Sequence, residues 1–436
     1  MKELRMKFRW ETEFKETEIG ELSKDWEVKV LGDVLKSLES GNRPKGGVLA
    51  HTSNGVLSIG GENINWDGSL ELSDCLRFDE NFYESLKKGK IEQGDILLVK
   101  DGATIGKLAY IKEVPEGKAM VNEHVFLLKS NTFRVDSRFL YYFLFSEIGQ
   151  QQIESSISGS AQGGINKSIQ DNILIVYPPL PEQSRIATVL SYFDDLIEVK
   201  KRQNESLEKT AMAIFKSWFI DFEPFRNGEF VYSEELEKEI PKGWEVDKTT
   251  RLIDYNPSVS IEEGKIFPFV EMKDVSTNSL ICDFSFKTFT GSGVRYFGGD
   301  TLMARITPSL EHGKTAFVWF ISEKEKGFGS TEFFVLHPKK SYLKEFVYLL
   351  AKSNDFREIA INSMSGTTGR QRADINALKN YLIPIPPSHI LQSFHSLVEP
   401  LFQKIILNQK QIMTIRKIRD TLLPLLVFGK LRVEEL

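Results

Sequence analysis

The feature that most constrains the fold is an internal repeat: one ordered set of short motifs occurs twice within 436 residues. Leu22-Ser23-Lys24-Asp25-Trp26-Glu27-Val28 returns as Ile240-Pro241-Lys242-Gly243-Trp244-Glu245-Val246. Gly94-Asp95-Ile96-Leu97-Leu98-Val99, running on to Ile105-Gly106-Lys107, returns as Gly299-Asp300-Thr301-Leu302-Met303-Ala304, running on to His312-Gly313-Lys314. Each copy reads as a strand, a polar loop and a returning strand. Val125-Phe126-Leu127-Leu128 and Phe333-Phe334-Val335-Leu336 follow as apolar strands, each leading to an amphipathic helix that carries Tyr142 or Tyr348. A small polar loop comes next, Ser158-Gly159-Ser160-Ala161-Gln162-Gly163-Gly164 in one copy and Ser365-Gly366-Thr367-Thr368-Gly369-Arg370-Gln371-Arg372 in the other. Each copy closes on a strand that ends in proline, at Tyr177-Pro178-Pro179 and Ile385-Pro386-Pro387.

Both proline stops open a long helical pattern. Ile186, Leu190, Phe193, Ile197, Lys200, Asn204, Leu207, Ala211, Ile214 and Trp218 recur at alternating spacings of four and three. Leu391, Phe394, Val398, Leu401, Ile405, Asn408, Ile412, Ile415, Arg419, Leu422 and Leu426 do the same. A single apolar stripe of this kind needs a partner, and the other copy of the helix is the candidate. A helix from Glu182 to Trp218 would be roughly 55 Å long, a rigid spacer. Asn204 and Asn408 hold middle seam positions, where a polar residue either fixes the coiled-coil register or faces solvent at the seam edge. Asp420 and Pro424 indicate a kink or the approach of the helix end. The expected fold is thus mixed α/β units in two tandem copies, separated by two long antiparallel coiled-coil helices, with internal pseudo-two-fold symmetry. Two related but non-identical units on one rod suit a nucleic-acid site with two half-sites.

Composition narrows the function. No run of eighteen uncharged apolar residues occurs, and the charged start Met1-Lys2-Glu3-Leu4-Arg5 leads into no apolar core, so a cytoplasmic protein that does not enter the membrane is expected. Cys75 and Cys282 lie far apart, with neither disulfide framework nor zinc spacing. The net charge of -5 argues against a surface that is cationic throughout, so any DNA contact requires local basic clusters or charge supplied by partner subunits.

In this order, and duplicated, these pieces resemble the DNA-specificity subunits of type I restriction-modification systems. The most distinctive are the two Lys-x-Trp-Glu-Val openings, Arg305-Ile306-Thr307-Pro308-Ser309-Leu310-Glu311-His312-Gly313-Lys314, Gly366-Thr367-Thr368-Gly369-Arg370-Gln371-Arg372, and Pro178-Pro179-Leu180-Pro181-Glu182-Gln183 running into a helix. The resemblance covers nearly the whole chain. It implies target recognition domains at 1–180 and 227–385, a central conserved spacer helix at 181–226 and a C-terminal conserved spacer helix at 386–436. It further implies a non-catalytic subunit that reads double-stranded DNA, one half-site per domain. Two adenine methyltransferase subunits would dock on its helices, and restriction subunits could join. S-adenosylmethionine, ATP and Mg would then belong to those partners, with no cofactor in this chain. The second copy departs from the pattern, having Ser388-His389-Ile390 where the first has Leu180-Pro181-Glu182-Gln183.

Catalytic motifs are missing. Asn256-Pro257-Ser258 lacks the second proline and the aromatic residue of an adenine methyltransferase, Gly291-Ser292-Gly293 lacks the setting of a cofactor loop, and no Walker A loop or metal-binding histidine pair occurs. A fused methyltransferase or nuclease is therefore disfavoured; a duplicated adaptor for protein or glycan is the other rival. For DNA contact the candidates are polar loops rich in bidentate side chains and small residues. In the second copy these are Thr367, Thr368, Arg370, Gln371 and Arg372; in the first, Gln162, Asn166 and Lys167. Lys100, Lys107, Arg305 and Lys314 flank the duplicated strand-loop-strand elements, and Arg43 and Lys45 lie on a basic glycine-bearing loop. For the polar-loop residues and for Arg43 and Lys45 the competing reading is an ordinary solvated surface; for the four strand-flanking cations it is a device against edge pairing. Trp26 and Trp244 read as core anchors, because their duplication follows the fold.

Overall fold

A computed structural model of the chain describes residues 6–47, 51–158, 163–367 and 369–435. Two compact units emerge: Met1–Leu196 with Ile415–Leu436, and Ile197–Thr414. Each long helix is continuous, Leu180–Phe219 and Ser388–Val427, and contributes a segment to each unit.

The repeat is visible in the sheets. In the first unit Leu35–Ser40, Val125–Ser130, Ile96–Val99 and Leu108–Tyr110 form an antiparallel sheet in that order; in the second, Ile253–Tyr255, Phe333–Pro338, Thr301–Ala304 and Thr315–Phe317 do the same. A second sheet in each unit contains one parallel pair, Val56–Ile59 with Ala119–Val121 and Ile266–Val270 with Lys326–Gly329. The second unit has an extra strand, Val294–Phe297, where the first has the helix Glu80–Ser85. The Gly-Asp pair that opens the Ile96 and Thr301 strands has a local cause. Gly94 (φ 89°) and Gly299 (φ 84°) occupy the left-handed region that other residues resist. The next residue folds its carboxylate back on the turn, Asp95 accepting from Glu92 N–H and Asp300 from Phe297 N–H, both at 2.8 Å. The buried carboxylate then meets a basic side chain, Lys129 Nζ at 2.9 Å in one unit and His337 Nδ1 at 2.6 Å in the other.

The long helices run antiparallel within each unit. In the second, Lys200 Nζ donates to Gln411 Oε1 (2.6 Å), Asn408 Nδ2 donates to Asn204 Oδ1 (2.9 Å), and the Phe215 and Phe394 rings lie 6.3 Å apart. In the first, Arg419 pairs with Asp194 at 2.6 Å, and Ile186 and Leu190 share a core with Leu423 and Leu426. Both asparagines are buried inside the seam, not at its edge. The seam departs from the heptad reading past Ala211: Ile214 and Trp218 are half-buried, while Phe215 and Phe219 are fully buried. There the helix packs on a globular core, with Phe219 within 5 Å of both Phe346 and Phe394. An uncoiled helix keeps its own period of 3.6, so the buried stripe moves over by one residue. The second helix passes through Pro424 and ends three residues later.

The two tyrosines singled out by the repeat both bond to carboxylates on the first long helix, Tyr142 to Asp194 and Tyr348 to Glu208, each at 2.5 Å. Trp26 and Trp244 are buried, but their surroundings differ. Trp26 Nε1 donates to Glu182 Oε2 (3.2 Å), and its ring faces the Arg432 guanidinium at 5.4 Å. Arg432 in turn binds Glu182 (2.7 Å), Glu11 (2.6 Å), Asp25 (3.0 Å) and Ser23 Oγ (2.9 Å). Arg432 lies on the strand Leu431–Glu435, which pairs with Met6–Trp10. One guanidinium thus ties together the N-terminal strand region, the first hairpin, the start of the first helix and the C-terminal strand. Gly429, after the second helix, has φ 68°, and a side chain there would come within 3.1 Å of the Trp26 ring. Around Trp244 the same corner is aromatic, with the Phe222 and Phe225 rings at 5.3 and 5.2 Å.

Glu182 and Gln183 are therefore structural. Gln183 is fully buried and bonds Pro178 O (2.8 Å) and Asp136 N (2.9 Å). In the second copy the corner is aromatic, and Ser388-His389-Ile390 stands where the first copy has the residues that bind Arg432 and Asp136.

Arg432→Ala is expected to destabilise the first unit by about 3–5 kcal/mol in denaturant unfolding, since it strands the buried Glu182 carboxylate; an effect well under 1 kcal/mol would refute the clamp. Burial acts to raise the Glu11 pKa, but the Thr12 and Glu13 N–H groups, Arg432 and Ser23 outweigh it and bring it from 4.5 to about 2. A depressed folded value means that the stabilisation is present above pH 4.5 and is lost as pH falls toward 2. Glu11→Gln should flatten the stability profile in that window, and an unchanged profile would contradict this assignment.

Candidate nucleic-acid interface

Each unit knots three segments together at the end of its central strand. In the first, Lys100 N–H donates to His124 O (3.0 Å), and Lys100 O accepts from Ile165 N–H (2.7 Å). In the second, Arg305 N–H donates to Glu332 O (3.0 Å), and Arg305 O accepts from Ala373 N–H (2.8 Å). Bridges Asp101 to Gly164 and Ile306 to Arg372 extend the knots, and the polar loops close on themselves through Ser158 to Gly164 and Ser365 to Arg372. The repeat thus brings the strand-loop-strand element and the small polar loop, distant in sequence, to one edge. The cation at the knot lies over an aromatic ring both times, Lys100 over Phe126 at 5.5 Å and Arg305 over Phe334 at 5.0 Å.

The backbones match while the charges differ. In the first unit Lys100 pairs with Asp101 (3.0 Å), His124 bonds Asp101, and Arg43 pairs with Glu123 and approaches His124 Nε2 at 3.0 Å. The knot is a chain of paired basic and acidic side chains, and Arg43 joins it through Glu123. In the second unit Arg372 grips Glu332 (Nε to Oε2 2.9 Å), and its guanidinium holds that carboxyl below the usual range. Arg305 Nε is buried without a hydrogen-bond partner among the described residues. Gln371 is anchored through its backbone, its N–H donating to Thr307 Oγ1 (3.1 Å) and its O accepting from Thr307 N–H (3.1 Å). Gly366 (φ 126°) and Gly369 (φ 83°) supply the turns on which Thr367 and Arg370 stand exposed.

The remaining candidates separate by exposure. Lys107 is only 9% exposed, and Lys314 donates to Met272 O (2.9 Å); burial lowers both ammonium pKa values. Both ammonium groups turn into their own units. Asn166 Oδ1 accepts from Ser168 N–H (2.8 Å), while Lys167 and Lys45 are exposed. Gln162 and Thr368 lie outside the described residues. Sequence reasoning missed Glu332, whose pairing with Arg372 spans forty positions, and Lys87 and Lys88, whose Lys-Lys-Gly-Lys string was the available signal. Among the described residues no cluster of His, Cys, Asp or Glu could hold a metal, and no helix is long and apolar enough to cross a membrane. Cys75 and Cys282 are free thiols whose pKa burial raises.

A duplicated α/β chain with paired polar edges and long helices defines a class of two-copy recognition protein. The family model described as type I restriction modification DNA specificity domain matches residues 23–209 and 245–417. The chain is 36% identical to the type I restriction enzyme MjaIX specificity subunit of Methanocaldococcus jannaschii, over 99% of both chains. It is 28% identical to the putative type I restriction enzyme MjaX specificity subunit of the same organism, over 98% of this chain and 99% of the relative. Among solved structures, the type I restriction-modification S subunit from M. genitalium superposes with a TM-score of 0.52, covering 92% of this chain and 96% of that one at 16% identity, a likeness of fold. The chain belongs to the type I restriction-modification DNA-specificity family, as a specificity subunit without a catalytic role.

Lys107→Met is expected to raise the thermal midpoint, because methionine keeps the packing of the stem and removes a charge that burial disfavours. A lowered midpoint would show that the ammonium is held by a partner.

Proposed function

We propose that this chain reads a bipartite double-stranded DNA target for its restriction-modification system, residues 1–180 reading one half and 227–385 the other. The helices at 181–226 and 386–436 set the gap between the halves and dock two adenine methyltransferase subunits. The observation that carries this reading is the duplicated three-segment edge, where one backbone arrangement presents two different sets of side chains. Different half-sites demand that combination. At the second edge Arg305 and Arg370 offer guanidinium forks suited to guanine O6 and N7, and Gln371 an amide suited to adenine N6 and N7. At the first edge Lys100, Lys167, Arg43 and Lys45 supply charge for phosphates, and Asn166 an amide.

The acidic net charge fits a subunit that binds DNA weakly alone and tightly when assembled. S-adenosylmethionine, ATP and Mg belong to the partner subunits in this reading, restriction subunits among them, and the complex works in the cytoplasm. Exposed Tyr192 and Val199 on the first helix and Leu397, Leu407 and Ile418 on the second give apolar surface for docking.

The test is selection of a randomised duplex pool by the chain with its methyltransferase subunits. A split motif is expected; retention without an enriched motif would sink the reading. Arg305→Ala with Arg370→Ala should relax one half of the motif by roughly 5–150-fold per lost bidentate contact and leave the other half intact. One heptad inserted in both helices should widen the gap without changing either half.

A further inference from the structure

In the first unit two strand ends cross at glycines. A Cβ on Gly41 would lie 1.8 Å from Val121 O, and one on Gly89 (φ 85°) would lie 3.1 Å from Gly41 Cα. The crossing is fixed by Gly89 N–H donating to Glu39 Oε2 (2.8 Å) and by Val121 N–H donating to Gly89 O (3.0 Å). It sets the loop that starts at Asn42 beside the turn Lys87-Lys88, with an open groove of about 670 Å³ between them. Lys167, from the polar loop of the recognition edge, lines the same groove, and Leu86 and Phe82 line its apolar part.

Its charge is one-sided. No carboxylate lines the groove, and Lys87, Lys88 and Lys167 have no ion-pair partner among the described residues. Neighbouring cations are neutralised: Lys90 by Glu84, Lys118 by Glu80 and Glu84, Lys100 by Asp101 and Arg43 by Glu123. Three unneutralised ammonium groups held together in a chain of net charge -5 carry a repulsion that an anion relieves. The groove is open and continuous with the edge through Lys167, which suits a polyanionic strand better than a small anion. In the second unit the strand Val294–Phe297 occupies the matching place in the chain, and its Arg295 is turned inward onto Val259 O (3.3 Å) and the Phe289 ring (5.1 Å).

We propose that the groove formed by Asn42, Lys87, Lys88 and Lys167 cradles the phosphodiester backbone of DNA flanking the half-site read by the first unit, a grip that the second unit lacks. This rests on the DNA-reading function above. Phosphate contacts position a duplex without reading it and make binding salt-dependent. The groove therefore adds affinity, and the edge adds selectivity.

The experiment compares the full chain, assembled with its methyltransferase subunits, with Lys87→Gln/Lys88→Gln/Lys167→Gln, on target and non-target duplexes across a salt series. The slope of log K against log salt should fall by up to about 2.7, near 0.9 per lysine. Affinity should drop alike for both duplexes, with their ratio unchanged. Phosphate-ethylation interference should vanish beside one half-site only, and arginine at all three positions should restore the slope. Lys24→Gln/Lys36→Gln/Lys242→Gln, an equal loss of exposed charge elsewhere, should leave the slope near wild type. An unchanged slope in the groove variant, or an equal fall in this control, would overturn the groove while leaving the DNA-reading function standing. A wild-type complex that binds both duplexes equally would remove that function itself.

Discussion

The buried guanidinium of Arg432 is the constraint on which the first unit depends. Taking a cation and its carboxylates out of water costs several kcal/mol per ion, and such a group is tolerated only when its hydrogen bonds are filled from all sides. Arg432 meets that condition with Glu182, Glu11, Asp25 and Ser23, and its flat face rests on Trp26. Because these partners come from remote parts of the chain, the cluster cannot form until the first helix has started in the right place and the C-terminal strand has returned to it. The matching corner of the second unit uses Phe219, Phe222 and Phe225 around Trp244, with Lys238 Nζ over the Phe222 ring at 5.4 Å, and has no guanidinium clamp among the described residues. Burial of apolar surface would serve either corner for stability. What the ionic version adds is directionality: its partners must arrive in one geometry, which pins the chain's last strand to its first.

Much of this was legible because a repeat constrains interpretation twice. The order of strands, the paired tyrosines, the tryptophan anchors and the helices after each Pro-Pro recur in both copies, so local accidents cancel. What escaped was whatever depends on one copy alone or on a distant partner. The pairing of Arg372 with Glu332 cannot be seen from a loop that reads as uniformly basic. Lys107 and Lys314 sit at equivalent places and look like surface cations, yet Lys107 is buried and Lys314 bonds Met272 O. The seam called at Ile214 and Trp218 extrapolated a heptad into a segment where the helix no longer packs as a coiled coil. Pro181-Glu182-Gln183 has a role set by Arg432 and Asp136, which lie far from it in sequence.

The asparagine pair shows how a polar residue in an apolar seam can be explained by what it forbids. Asn204 and Asn408 bond each other at 2.9 Å in a buried layer, with Lys200 and Gln411 one turn away. Sliding one helix by a turn would set an amide against leucine or isoleucine, at the cost of unmet hydrogen bonds. The layer gives up some apolar contact, and Asn408 Oδ1 has no hydrogen-bond partner among the described residues. In exchange one register is favoured over its neighbours.

The two three-segment edges share a pattern of main-chain hydrogen bonds and differ in their side chains. The knot at Lys100 and at Arg305 is made by main-chain hydrogen bonds, which are indifferent to sequence, so the loops stay in place whatever residues they carry. Phe126 and Phe334 support the long cation from below in both units. Above that platform the first unit has an alternating network of Lys100, Asp101, His124, Glu123 and Arg43, whereas the second has one closed pair, Arg372 with Glu332, beside the uncommitted Nε of Arg305. In a network each charge is partly satisfied, and a ligand must compete for it. A buried donor without a partner among the described residues carries an unmet hydrogen bond, a cost that the network avoids. The two copies have diverged in how many of their charges are already committed, while the main-chain hydrogen bonds of the knot keep one pattern among the described residues.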